Sequence, residues 1–161
     1  GSTTDYLMLV LNYKQHAYTI PRGASDNLEK DKLKFRDYYA IGERLPYSPW
    51  IKPSVALCNE DSYSNAEIFS HAYKSLGIGK LVGKPTNGSV ISTGGKQLID
   101  GSLVRLPFRA WFTKATDKNQ ELGPAVPDFI VDNTPNAKAI NEDQQLKKAV
   151  DELLKQIDSK K

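Results

Sequence analysis

The chain has 161 residues, with 22 basic and 19 acidic side chains and a net charge of +3. That length favours one domain, and a composition 39% apolar and 25% charged excludes disorder and collagen-like order. The longest strongly apolar run, Leu7–Leu11, is too short to span a bilayer. The positive residues are scattered and not gathered into a stripe with stacking aromatics, so nucleic acid is not expected as a partner.

Gly1-Ser2 reads as a cloning scar, which would separate the chain from any upstream leader or domain. Tyr6–Leu11 (YLMLVL) is continuously apolar and predicts a buried strand. Asn12–Ser25 is polar and is broken by Pro21 and Gly23. Asn27–Ala40 has the pattern of an amphipathic helix, while Gly42, Pro46, Pro49 and Pro53 make the next stretch irregular. Ser54–Leu57 (SVAL) suits a short buried parallel strand that ends at a polar loop.

Ser64–Leu76 carries Ile68, Phe69, Ala72, Tyr73 and Leu76 at helical spacing, and Gly77 stands where a helix end wants a left-handed residue. Leu81 and Val82 open another short strand, and Thr86–Gly101 reads as loops and hairpins. Ser102–Phe112 predicts a strand bent at Pro107, and Asp128–Asp132 a last short strand. Asn141 with Gln144 gives a capping-box pattern that opens a final helix to about Ile157. Leu146, Val150, Leu153, Leu154 and Ile157 form its apolar stripe. Strands interleaved with helices predict an α/β domain.

The segment 54–76 holds the most chemistry. A strand, a polar loop and a helix beginning at Ser64 place a hydroxyl beyond the end of a strand, where open α/β sheets hold their ligands. The helix dipole there favours developing negative charge, and the Asn65 N–H can serve as an oxyanion donor. The plainer reading is equally open: Ser64-Asn65-Ala66-Glu67 fits the S-x-x-E capping box, and Ser64 then only caps the helix. Ser62 is a weaker second candidate. His71 lies two turns from Ser64, about 10 Å of rise, which is too far for a base. His16 reads as a solvated loop histidine. Cys58 is the single cysteine, so no internal disulfide forms. No spacing argues for a metal, no cofactor is expected, and Asn87-Gly88-Ser89 is a glycosylation sequon only in form.

The run Asn59-Glu60-Asp61-Ser62-Tyr63-Ser64-Asn65-Ala66-Glu67-Ile68-Phe69 resembles the nucleophile segment of the tail-specific and tricorn-core serine peptidases. The likeness continues in register through Gly77–Gly83, Pro85–Gly88, Asp100-Gly101-Ser102, Glu121-Leu122-Gly123, Pro127-Asp128 and Asp143–Leu146, covering about Lys52 to Ile157. The resemblance implies a crotonase/Clp-protease-like α/β fold, here incomplete. It divides the chain into the scar at 1–2, an N-terminal strand and irregular segment of uncertain role at 3–51, and the C-terminal part of a peptidase catalytic domain at 52–161.

By the same resemblance Ser64 is the nucleophile and Asn65 lends its N–H to the oxyanion hole. The tail-specific branch has a lysine base after its Thr-x-Gly turn. Here Ser89 stands at that position, and Lys80, Lys84 and Lys96 read as surface residues. The tricorn-like branch uses an upstream serine–histidine pair with a glutamate that orients the machinery, and Glu121 matches that glutamate. Gly88, Ser89 and Ile91 fall on the segment expected to pair with an extended substrate backbone.

Two departures stand out. The upstream serine–histidine pair is not in the chain, and Leu11–Gln15 has no glycine where the family's Gly-rich turn is expected. Loss of the base removes about 10⁶ of rate in a serine peptidase, so the resemblance implies a nearly inert isolated chain. The function expected is a serine endopeptidase; the alternative is an inactive peptide-binding or assembly module of the same fold. The partner implied is a peptide or unfolded protein, with homo-oligomer formation and the compartment (periplasmic, secreted or cytoplasmic) left open.

Overall fold

The computed structural model describes residues 1–12 and 49–159. The expected helix over Asn27–Ala40 and the residue His16 lie outside those limits. The chain divides into two units, Gly1–Thr4 with Lys52–Lys161, and Asp5–Ile51.

In the larger unit, β1 (Val55–Cys58), α2 (Asn65–Ser75) and β2 (Lys80–Gly83) form a βαβ crossover. β1 and β2 run parallel with Ala56 opposite Leu81 and Cys58 opposite Gly83. β7 (Phe129–Ile130) adds in parallel on the far side of β2, giving the order β1-β2-β7. The central strand is the driest part of the fold: Leu81 and Val82 are fully buried, and Leu81 packs with Cys58 and Ala125. A side chain at Gly83, where φ is +129°, would run into the Cys58 carbonyl, so the close approach of β2 to the end of β1 requires glycine.

Tyr73 anchors α2, buried to 1% with its hydroxyl 2.7 Å from Ser54 Oγ. The helix stops at Leu76 and Gly77 follows at φ +66°, the left-handed terminator the sequence predicts. After a loop, β3 (Ser92–Gln97) and β4 (Leu103–Arg109) form an exposed antiparallel ribbon, and its register slips where Ser92 and Thr93 face Arg109 and Pro107. The predicted bend therefore occurs as a bulge. A small hairpin of β5 (Phe112–Thr113) and β6 (Lys118–Asn119) comes next. A 3₁₀ turn (Ala137–Ile140) then leads into α3 (Gln144–Asp158), which packs on β1 and β2.

Three expectations are corrected. Residues Thr3–Leu11 form a helix, α1, where a buried strand was expected; Tyr6 and Leu9 are each 70% exposed. An uninterrupted apolar run carries no period, and Leu7, Met8, Leu9 and Leu11 are good helix formers. The cap of α3 is Asp143, whose carboxylate accepts from Leu146 N–H at 2.9 Å. Asn141 instead ends the 3₁₀ turn in the left-handed region, a conformation asparagine tolerates. On α3 itself Ala149 is buried, whereas Leu146, Val150, Leu154 and Ile157 stay exposed.

Candidate active site

The Ser62–Ser64 turn leaves β1 and enters α2 with Ser64 at φ 57° and ψ −119°. Few side chains tolerate that conformation, and where it occurs the surrounding structure must hold it. Three contacts do so. The Ser64 N–H donates to Ser89 O at 2.9 Å and lies 3.3 Å from Glu67 Oε2. On the other side, the N–H of Asn87 donates to Ser62 O at 3.0 Å. The Ser64 hydroxyl faces the helix in the capping-box position but makes no cap hydrogen bond of standard geometry. It is half-buried, at the N-terminus of α2.

Glu67, the fourth residue of the S-x-x-E pattern, is fully buried. Its Oε1 accepts from Thr86 Oγ1 at 2.7 Å and from Gly88 N–H; its Oε2 accepts from Ser89 N–H at 2.7 Å as well as from Ser64. Thr86 Oγ1 in turn accepts from Ala125 N–H at 2.8 Å. A buried carboxylate is tolerable only when its lone pairs are filled in this way. The sequence assigned Glu67 a capping role alone, and the S-x-x-E spacing was the only sign of it.

Glu121 continues the arrangement. Its Oε2 accepts from Val90 N–H at 2.7 Å and Ile91 N–H at 2.8 Å. Four successive amides, Gly88 to Ile91, are thus donated to two carboxylates, and β3 begins only at Ser92. Among the described residues the carbonyls of Val90 and Ile91 accept no hydrogen bond. Leu122, beside Glu121, has φ 58° and a side chain 90% exposed, and its N–H donates to Gly88 O at 2.9 Å.

Asn65, the first residue of α2, is held by its side chain. Thr4 N–H donates to Asn65 Oδ1 at 2.9 Å, and Thr4 Oγ1 to Asn65 O at 2.8 Å. Among the described residues no acceptor meets the Asn65 N–H at the helix end. The hydroxyl of Ser89 is turned to Asn87 Oδ1.

Other titratable groups are occupied elsewhere. His71 Nε2 lies 3.1 Å from Gly123 O; a carbonyl only accepts, so Nε2 carries the proton. Burial holds the imidazole below its ordinary pKa, outweighing that hydrogen bond. Lys84 pairs with Glu60 at 2.7 Å and Asp132 at 3.3 Å, and Lys80 with Asp128 at 3.8 Å. Burial pushes the Cys58 thiol up to about 11. Among the described residues no group of three or more His, Cys, Asp or Glu side chains gathers as for a metal ion. No helix there is long and apolar enough to cross a membrane.

Residues 2–131 match the model of peptidase family S41. The chain belongs to that family. The match reaches further toward the N-terminus than the motifs read from Lys52 onward. Among curated relatives, this S41 chain is 31% identical over 120 residues to the tricorn protease of Thermoplasma volcanium, covering 74% of this chain and 12% of the relative. It is 36% identical over 99 residues to tricorn protease homolog 1 of Streptomyces coelicolor, covering 61% and 9%. A crystal structure of the tricorn protease superposes on 97% of this chain and 14% of that one, with a TM-score of 0.72 at 25% identity. The S41 chain therefore spans about a tenth of the length of the curated relatives it matches. The tricorn-like resemblance and the α/β fold both stand.

Proposed function

We propose that the chain supplies the nucleophile side of a serine endopeptidase site. The observation that carries the reading is Ser64 itself, held at φ 57° on a helix N-terminus beside an Asn65 N–H that no described residue accepts. In this reading Ser64 Oγ attacks the scissile carbonyl carbon, and its proton passes to a histidine supplied from upstream of this chain. The carbonyl oxygen becomes an oxyanion facing the Asn65 N–H and the helix dipole. Collapse of the tetrahedral intermediate breaks the C–N bond; the leaving amine takes the proton back, and water later releases the acyl group. Glu121 orients this machinery by fixing the amides of Val90 and Ile91.

The substrate lies along Gly88, Ser89 and Ile91 as an extended peptide. The amides of that segment are held by Glu67 and Glu121, so the peptide donates an N–H to the Ile91 carbonyl, which accepts nothing from the described residues. Strand addition works in either polarity.

The test is intact-mass detection of a fluorophosphonate adduct, on this chain and on the full-length protein, with Ser64→Ala as control. The reading expects an adduct on the full-length protein that is lost in the variant, and none on the 161-residue chain. An adduct on the chain alone would move the base to His16. No adduct on either protein would favour the inactive binding module.

A further inference from the structure

Behind the 120–126 segment, a cavity of about 460 Å³ opens between the second half of α2 and the β5–β6 hairpin. That volume lies within the range of about 300–1,000 Å³ typical of small-ligand sites. Ala115, Pro124 and Val126 give it an apolar wall. Lys74 and Lys118 border it and no carboxylate does. Neither lysine is ion-paired among the described residues, whereas Lys80, Lys84, Lys148 and Lys155 each meet a carboxylate.

The acceptors on the wall are already taken, while donors remain. The Gly123 carbonyl faces His71 Nε2 at 3.1 Å, the Val126 carbonyl accepts from Lys74 Nζ at 2.6 Å, and the Ala125 carbonyl accepts from Thr86 N–H at 3.2 Å. Thr113 Oγ1 accepts from Gln120 Nε2 at 3.1 Å, and Asn119 Oδ1 accepts from Glu121 N–H at 3.0 Å. Its bond to Val126 O fixes Lys74 at the rim and leaves it two further N–H donors. His71, also on the wall, is held neutral by burial and adds no charge near neutral pH.

We infer that this cavity binds a free medium-chain fatty acid, its carboxylate between Lys74 and Lys118 and its alkyl tail against Ala115, Pro124 and Val126. An ionised fatty acid only accepts hydrogen bonds, and only at one end. It brings no N–H that would be stranded against acceptors already in use, a cost that an amide carries. The two ammonium groups offer the carboxylate charge-assisted hydrogen bonds that an alcohol of the same length cannot match. Nothing in the inference depends on Ser64 being a nucleophile, because the readout is binding.

The experiment is an amide NMR titration of the 161-residue chain with octanoate, hexanoate, 1-octanol and N-acetyl-leucine. Octanoate is expected to shift amides within 113–119 and 123–126. Hexanoate should bind about tenfold more weakly for its two missing methylenes. Octanol has the same tail without the charge and should also bind about tenfold more weakly. Lys74→Gln and Lys118→Gln should each weaken octanoate about threefold, the loss of one exposed charge contact. Lys96→Gln on the exposed β3 strand should leave the affinity unchanged. Equal binding of octanoate and octanol, unchanged affinity in both lysine variants, no binding at millimolar octanoate, or shifts outside the cavity would each overturn the inference. N-acetyl-leucine binding as tightly as octanoate would show that the wall accepts an amide and would overturn the fatty-acid assignment.

Discussion

Ser64 and Ser89 are joined backbone to backbone: the N–H of the first donates to the carbonyl of the second at 2.9 Å. The strained turn before α2 is therefore pinned to a segment whose own amides are held by Glu67 and Glu121. Position of the hydroxyl and shape of the neighbouring loop form one mechanical unit.

The backbone at Ser64 sets the first prediction. Without a cap hydrogen bond of standard geometry, Ser64→Ala should change stability by less than about 0.5 kcal/mol, below the ~1 kcal/mol of a working cap. Ser64→Gly relieves the positive φ and should exceed the alanine variant by about 1 kcal/mol, strain relief outweighing glycine's added chain entropy. Urea midpoints of the three proteins check both. A glycine variant less stable than alanine would mean the turn is unstrained.

Glu67 and Glu121 should respond differently to the same substitution. Both Glu67 oxygens accept from two donors, so glutamine places an NH₂ against N–H groups whichever way it turns. Glu67→Gln should cost about 3 kcal/mol or more. At Glu121 a single oxygen takes both amides, and glutamine retains one such acceptor. Glu121→Gln should cost about 1 kcal/mol or less, and Glu121→Ala more. Denaturant midpoints of the three variants give the comparison. If Glu121 also orients the catalytic groups through its charge, the full-length glutamine variant should lose peptidase activity while keeping its stability.

Cys58 should be inert in the folded protein. It is 4% exposed, its Sγ donates to Lys84 O at 3.1 Å, and burial holds the thiol near pKa 11. The thiolate is the reactive form. Alkylation by iodoacetamide at pH 8, followed by mass, should be slow in buffer and complete in urea; rapid labelling of the native chain would contradict the buried placement.

Mild acid should destabilise the chain through His71. Its folded pKa lies below the ordinary 6.5 because burial disfavours the imidazolium. The unfolded chain therefore binds the proton first, and stability is lost as pH falls from about 6.5 toward the folded value, levelling off beneath it. The depressed carboxylates Glu60, Asp100 and Glu152 act lower, below 4.5, 3.8 and 4.5. His71→Gln keeps a donor for Gly123 O and should flatten stability between pH 7 and 5. An unchanged slope would place the titration elsewhere.

The βαβ unit was legible because its parts obey strong local rules: a short apolar run at 54–57, Leu81 and Val82, helical spacing from Ile68 to Leu76, and Gly77 at the helix end. The N-terminal helix was not, since six contiguous apolar residues fit either period. Asp143 and Asn141 differ by two positions, and both can cap a helix, so only the backbone angles separate them. The β5–β6 strands, two residues each, are too short to leave a pattern. At the site, strand–loop–serine–helix was visible in the residues, whereas Glu121 rested on family resemblance. The hold of two carboxylates on residues 88–91 was invisible, because it joins residues about 20 to 30 positions apart without any recurring spacing.

The amides of Gly88–Ile91 also bear on how the protein opens. Slow hydrogen exchange ordinarily marks a strand ladder or a helix interior; here a loop has that protection, supplied by side chains. Deuterium should enter these four positions in two steps. Val90 and Ile91 should exchange when Glu121 swings away, a local event at a half-buried residue. Gly88 and Ser89 should wait until α2, which carries the buried Glu67, itself comes loose.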